Sequence, residues 1–250
     1  MFDTGGMVVP SALRELHDRT RPVTLAREHT LPVVDALGSL FVDGALTRGS
    51  AVGVSGVGAT SLGLALAVGA SRAGAWVAVV GLADLGLAAA FEAGISLERL
   101  ALIEAPSPGR WAEVIAALVD GIDVVIVDGR APLTASEGRR LAARVRERGS
   151  VLIPVTQGSQ PTRRRPGAWS VDLTLEVRSG RWEGLGQGHG HLQGRAVRAE
   201  SGGRGKASRM RSCELWLPSA DGSTTVRVEP EREATVVLLR PDRGSPSDGA

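Results

Sequence analysis

The chain has 250 residues, 43% of them hydrophobic, and carries 29 basic against 27 acidic side chains for a net charge of +2. That length supports one sizeable core with an appendage and excludes two full α/β domains, while a charge so close to zero argues neither for nor against nucleic acid. No apolar run reaches the ~18–20 residues of a membrane span, and Met1–Pro10 lacks the basic start and apolar core of a signal sequence, so a cytoplasmic protein without a membrane partner is expected, with nucleoid association compatible with that.

Ser11, followed by Leu13 and Leu16, reads as the N-cap of a short amphipathic helix over Ser11–Asp18. Such a helix is too short to stand alone and leans on another surface. Thr20–Leu46 mixes prolines, charges and apolar pairs, so residues 1–45 form an N-terminal helix and lead-in segment with one helical turn or two. Residues 46–160 are regular: strand Ser50–Val54, a Leu/Ala-rich helix Ala59–Ala73, strand Ala75–Val80, a helical stretch Asp84–Ala93 stopped by Gly94, strand Leu100–Glu104, helix Arg110–Val119, strand Asp123–Val127, a basic helix opened by the capping box Thr134-x-x-Glu137, and strand Val151–Thr156. Continuous β-branched strands alternating with helices predict an α/β fold, a mostly parallel sheet with helices on both faces.

Residues 161–239 differ in texture. Val171, Leu173, Leu175 and Val177 alternate with polar residues, as in a strand with one wet face. The Gly- and Arg-rich stretch Gly184–Arg211 reads as a mobile loop, and Asp221-Gly222 between two apolar runs predicts a hairpin, giving an antiparallel C-terminal extension. Residues 240–250 read as a disordered tail.

The chemistry turns on G-V-S-G-V-G-A-T-S-L at residues 53 to 62. A phosphate-binding loop needs backbone amides to cradle phosphates, a lysine to reach their oxygens and a hydroxyl for magnesium. Gly53, Gly58 and Thr60 are suitably spaced, but Ala59 stands at the lysine position, and Lys206 is the chain's sole lysine. With Gly53 inside the strand, the loop shrinks to Gly56, Val57 and Gly58. Asp128, closing a buried strand, is placed like a magnesium-organising carboxylate, or simply marks the strand end. The expectation is a vestigial site made of Gly56, Gly58, Ala59, Thr60, Asp128 and Gln157, with no catalytic residue, cofactor or metal; His189 and His191 lack a third ligand nearby. Cys213 is the lone cysteine and reads as a small core residue.

Eleven basic residues face four acidic ones between Pro161 and Arg211. Arg163, Arg164, Arg165, Arg195, Arg204, Lys206, Arg209 and Arg211 are therefore candidates for a DNA-binding surface, or form a solvated basic loop.

The order R-G-S-A-V-G-V-S-G, T-S-L-G-L-A-L-A, A-W-V-A-V-V, D-V-V-I-V-D-G and V-L-I-P-V-T-Q resembles the RecA-type ATPase core from Gly49 to Gln157. In that family a catalytic glutamate would fall at Leu82–Asp84, with Ala83 the best match and Asp84 a substitute, whereas Gln157 matches the nucleotide-sensing glutamine. Among degenerate members the chain resembles the ImuA-prime group, through A-T-S-L in place of a lysine loop, its length, its arginine bias and the closing E-L-W-L-P-x-x-D-G. The resemblance implies a non-catalytic accessory of a DNA-damage-induced mutasome. Its implied partners are an ImuB-like Y-family polymerase homologue and an error-prone C-family polymerase, with DNA as a further candidate. Leu13 and Leu16 are then partner contacts, or pack on the protein's own sheet. Two other readings are an active RecA- or KaiC-like ATPase, with Arg130 compensating for Ala59, and a SulA-type cell-division inhibitor.

Overall fold

The computed structural model describes residues 29–158, 169–185 and 189–227. The lead-in contributes β1 (Thr30–Pro32), the single-turn helix α1 (Asp35–Gly38) and β2 (Ala45–Thr47); β1 and β2 pair antiparallel as a small separate sheet that the sequence did not announce. The main body follows as β3 (Val52–Gly56), α2 (Ala59–Arg72), β4 (Val77–Val80), α3 (Leu87–Ala93), β5 (Leu100–Ile103), α4 (Trp111–Gly121), β6 (Val124–Asp128), α5 (Ala135–Arg148) and β7 (Val151–Gln157). Then come β8 (Leu173–Leu185), β9 (Gly190–Gly203), β10 (Arg211–Trp216) and the two-residue β11 (Thr225–Val226).

One nine-stranded sheet runs β11-β10-β9-β8-β3-β7-β6-β4-β5. Pairing is parallel from β8 to β5 and antiparallel from β8 to β11, as the strand composition predicts. The central strands bury both faces because their side chains alternate between two cores. Val124 and Ile126 join the core around α2, while Val125 and Val127 meet Trp111, Ile115 and Val119 of α4 and Leu141 and Val145 of α5.

Helix α2 is apolar all round, which suits a helix enclosed on every side. The sheet covers one flank, and Leu31, Leu37, Leu40, Leu46, Leu215 and Leu217 join the same core. Leu62 and Leu66 are fully buried, and truncating either to alanine would cost about 2–5 kcal/mol. Gly69 permits the enclosure: a Cβ there would lie 2.5 Å from the carbonyl oxygen of Pro32.

The described residues of the stretch Gly184–Arg211, expected as a mobile loop, instead include the whole of β9 and a short 3-10 turn at Gly205–Ser208. Pairing supplies the reason: β9 is bonded to β8 along its length and to β10 over Ala196–Ser201, so much of its backbone is satisfied despite the polar sequence. Its outer face is held by a charge ladder. Glu200 accepts from Arg178 at 2.9 Å and from Arg198 at 3.2 Å, and Arg178 also reaches Glu176. The predicted hairpin at Asp221-Gly222 is present, joining β10 to β11.

Candidate functional site

The site sits where β3 gives way to α2. The strand ends at Gly56 and the helix begins at Ala59, leaving Val57 and Gly58 as the entire connection. The connection is as short as the placement of Gly53 inside the strand implied. Gly58 caps the helix with φ 92°, in the left-handed region that glycine tolerates, and no side chain caps the first-turn amides. Ala59, at the lysine position, is fully buried.

Arg195 closes this end. It was expected on an exposed basic loop, but only 7% of it is exposed. Register explains the difference: β9 places Arg195 opposite Trp182 of β8, and its backbone is clamped between Pro218 and Leu217, so the side chain has to turn inward over the loop. Its Nη2 donates to the carbonyl of Val57 at 2.8 Å. The guanidinium lies 5.9 Å from the centre of the Trp182 ring. Glycines make room on both sides, since a Cβ on Gly58 would lie 2.2 Å from Nη1 and one on Gly180 would lie 2.6 Å from Nη2. Among the described residues no carboxylate pairs with Arg195, and burial pushes its pKa below the usual guanidinium value.

The other polar groups are also committed within the chain. Gln157, at the end of β7, donates to the hydroxyl of Thr60 at 2.5 Å. Asp128, at the end of β6, is separated from the loop strand by β7. Its carboxylate is forked by Arg130, at 3.0 Å to Nε and 2.9 Å to Nη2, and it accepts the Arg130 backbone N–H at 2.8 Å. A cation binding this carboxylate would have to compete with the Arg130 charge already on it. Arg130, the sequence-level candidate to replace the lysine, is thus spent on Asp128, and the arginine at the loop comes from 138 residues away. Ala83 and Asp84, where a catalytic glutamate was sought, are both exposed, with Asp84 close enough to Arg130 to help hold its charge.

Arg204 and Arg209 are exposed and Arg211 is half-buried, all near the turn between β9 and β10, where Lys206 also falls. Leu13, Leu16, Arg163, Arg164 and Arg165 lie outside the described residues. Cys213 is half-buried against the α2 core, and burial pushes its thiol up to about 11. His189 and His191 sit on the β8–β9 arm, and among the described residues no three His, Cys, Asp or Glu side chains converge as a metal site. Among the described residues, no helix is long and apolar enough to cross a membrane.

The site's main functional surprise, Arg195 with Trp182, had no local signal; only the pairing of the strands that carry them brings both to the loop. Comparison with known proteins locates the chain further. The family described as MT3502 N-terminal domain matches residues 39–161, the stretch that carries the loop, Asp128 and Gln157. Uncharacterized protein Rv3395c of Mycobacterium tuberculosis (strain ATCC 25618 / H37Rv) is 37% identical over 154 residues, which cover 60% of this chain and 71% of that protein.

Proposed function

The chain belongs to the family of Rv3395c and matches the MT3502 N-terminal domain over residues 39–161, and from that premise we propose that it is a non-catalytic, RecA-like accessory protein of a DNA-damage-induced translesion synthesis complex. It works in the cytoplasm, on or near the nucleoid, and binds an ImuB-like Y-family polymerase homologue that acts with an error-prone C-family polymerase.

One observation carries the reading: at the N-terminus of α2 the protein's own Arg195 is docked on the Val57 carbonyl, next to a buried alanine at the position a phosphate loop gives to lysine. The bonds Thr60–Gln157 and Asp128–Arg130 engage the remaining polar groups of the site. A charge-assisted phosphate contact is worth a few kcal/mol, and here the cation is already docked on the loop carbonyl. The ImuA-prime resemblance of the sequence supplies the pathway and partners. The sheet then serves as a frame, residues Leu13 and Leu16 contact the polymerase homologue, and Arg163, Arg164, Arg165, Lys206, Arg209 and Arg211 face DNA.

The test pairs two measurements on the full chain. Calorimetry with magnesium and a non-hydrolysable ATP analogue gives no saturable heat, while the polymerase homologue co-purifies with the intact chain and not with a chain lacking residues 1–21. Tight binding at one nucleotide per chain, or an undiminished pull-down after the deletion, overturns the respective half of the proposal.

A further inference from the structure

A second feature lies on the sheet face opposite α2. A cleft of about 880 Å³ opens over β3, β7 and β8, within the roughly 300–1,000 Å³ range of small-molecule sites. Strand alternation separates it from the plugged loop. Val52 of β3 belongs to the α2 core, whereas Gly53 and Ser55 line the cleft.

The floor is polar. Ser55 pairs in register with Thr156 of β7, and Gly53 pairs with Thr174 of β8, so three hydroxyl side chains from adjacent strands share it. Gly53 keeps the floor low, because a Cβ there would already meet Val171 at 3.4 Å. One wall is apolar and pinned: Trp169 donates its indole N–H to the carbonyl of Gly129 at 2.8 Å, which fixes the ring against the segment after β6. Leu133 and Val171 complete this apolar side.

Charge at the cleft has one sign. Among the described residues lining it none is acidic, and the two charged ones are Arg130 and Arg204. Arg130 is engaged by Asp128, but Arg204 makes no ion pair among the described residues. Its neighbour Asp172 is already committed, accepting the Ala51 amide at 2.9 Å.

We propose that this cleft binds a small organic anion, with a planar apolar body against Trp169, Val171 and Leu133 and a carboxylate, phosphate or sulfonate group held by Arg204 over the hydroxyl floor. An apolar pocket with a few convergent polar groups and a guanidinium that makes no ion pair among the described residues favours such a ligand over a neutral one of the same shape. The inference is independent of the nucleotide loop and of the polymerase partner.

The test uses the full chain and 8-anilinonaphthalene-1-sulfonate, a dye that combines an aromatic body with a fixed anion. The dye saturates at one site per chain. Arg204→Gln weakens it about tenfold, the loss expected for one charge-assisted hydrogen bond. Gly53→Val, whose side chain rises from the floor, removes saturable binding, and the uncharged analogue N-phenyl-1-naphthylamine binds at least about tenfold more weakly than the anion. Absence of saturable dye binding, equal affinity in Arg204→Gln, or equal affinity for the neutral dye overturns the proposal. Cooperative thermal unfolding of each variant is checked first, and because Arg204 is exposed, its variant decides the matter even where Gly53→Val does not fold.

Discussion

Replacing Gly58 by alanine tests whether Arg195 truly plugs the loop. The substitution carries two separable costs. At φ 92° the new side chain sits in the left-handed region, a strain of about 1–2 kcal/mol. Its Cβ would also fall 2.2 Å from Nη1 of Arg195, so the guanidinium must withdraw. Withdrawal breaks its 2.8 Å bond to the Val57 carbonyl, a charge-assisted contact worth about 1.5–3 kcal/mol. Gly58→Ala should therefore cost about 2.5–5 kcal/mol in the natural chain. In an Arg195→Met background the steric and hydrogen-bond part vanishes, and the same change should cost only about 1–2 kcal/mol. Arg195→Met alone should be neutral to within about 1 kcal/mol, since it keeps the stem volume and removes a buried cation that has no carboxylate partner among the described residues. Urea unfolding followed by circular dichroism measures all four chains. A coupling energy below about 0.5 kcal/mol in this double-mutant cycle refutes the plug, because the two residues would then be acting independently.

Two further outcomes follow from local geometry. Thr134 accepts from the Glu137 amide at 3.3 Å and donates its own N–H to Glu137 at 2.7 Å; Thr134→Ala should cost about 1 kcal/mol, read as a fall in melting temperature with no change in the sheet. The Cys213 thiol, pushed up to about 11 by burial, should resist iodoacetamide at pH 8 and react only as the pH approaches that value. Because the folded value lies above the unfolded one, the stability tied to the neutral thiol is present below about pH 9 and fades from there through about pH 11, a loss that Cys213→Ala should not show.

Several parts of the molecule were written locally. The β-branched runs at Val77–Val80, Val124–Asp128 and Val151–Gln157 became the buried parallel strands, and Thr134 with Glu137 became a complete capping box. The loop's brevity was also legible, because placing Gly53 inside β3 leaves little more than Val57 and Gly58 before the helix. The stretch Gly184–Arg211 misled for an equally physical reason. Its composition lacks the apolar content of a core strand, but β9 pairs with β8 along its length and with β10 over Ala196–Ser201, and the exposed face needs only ion pairs. Composition reports how much a segment can bury, not which backbone will lie beside it.

The sequence by itself determined that Ala59, not a lysine, opens α2 and that Val57 and Gly58 alone join β3 to it, because both depend on residues adjacent in the chain. Only the tertiary structure decided what occupies that end of the helix. Arg195 reaches Val57 across 138 residues, and Arg130, which the sequence offered for the role, forks Asp128 instead. Strand register assigns each side chain to a face, and a register is a property of paired strands rather than of either strand alone. The same holds for the cleft beside Ser55, Thr156 and Thr174, whose hydroxyls share a floor only after three distant segments pair.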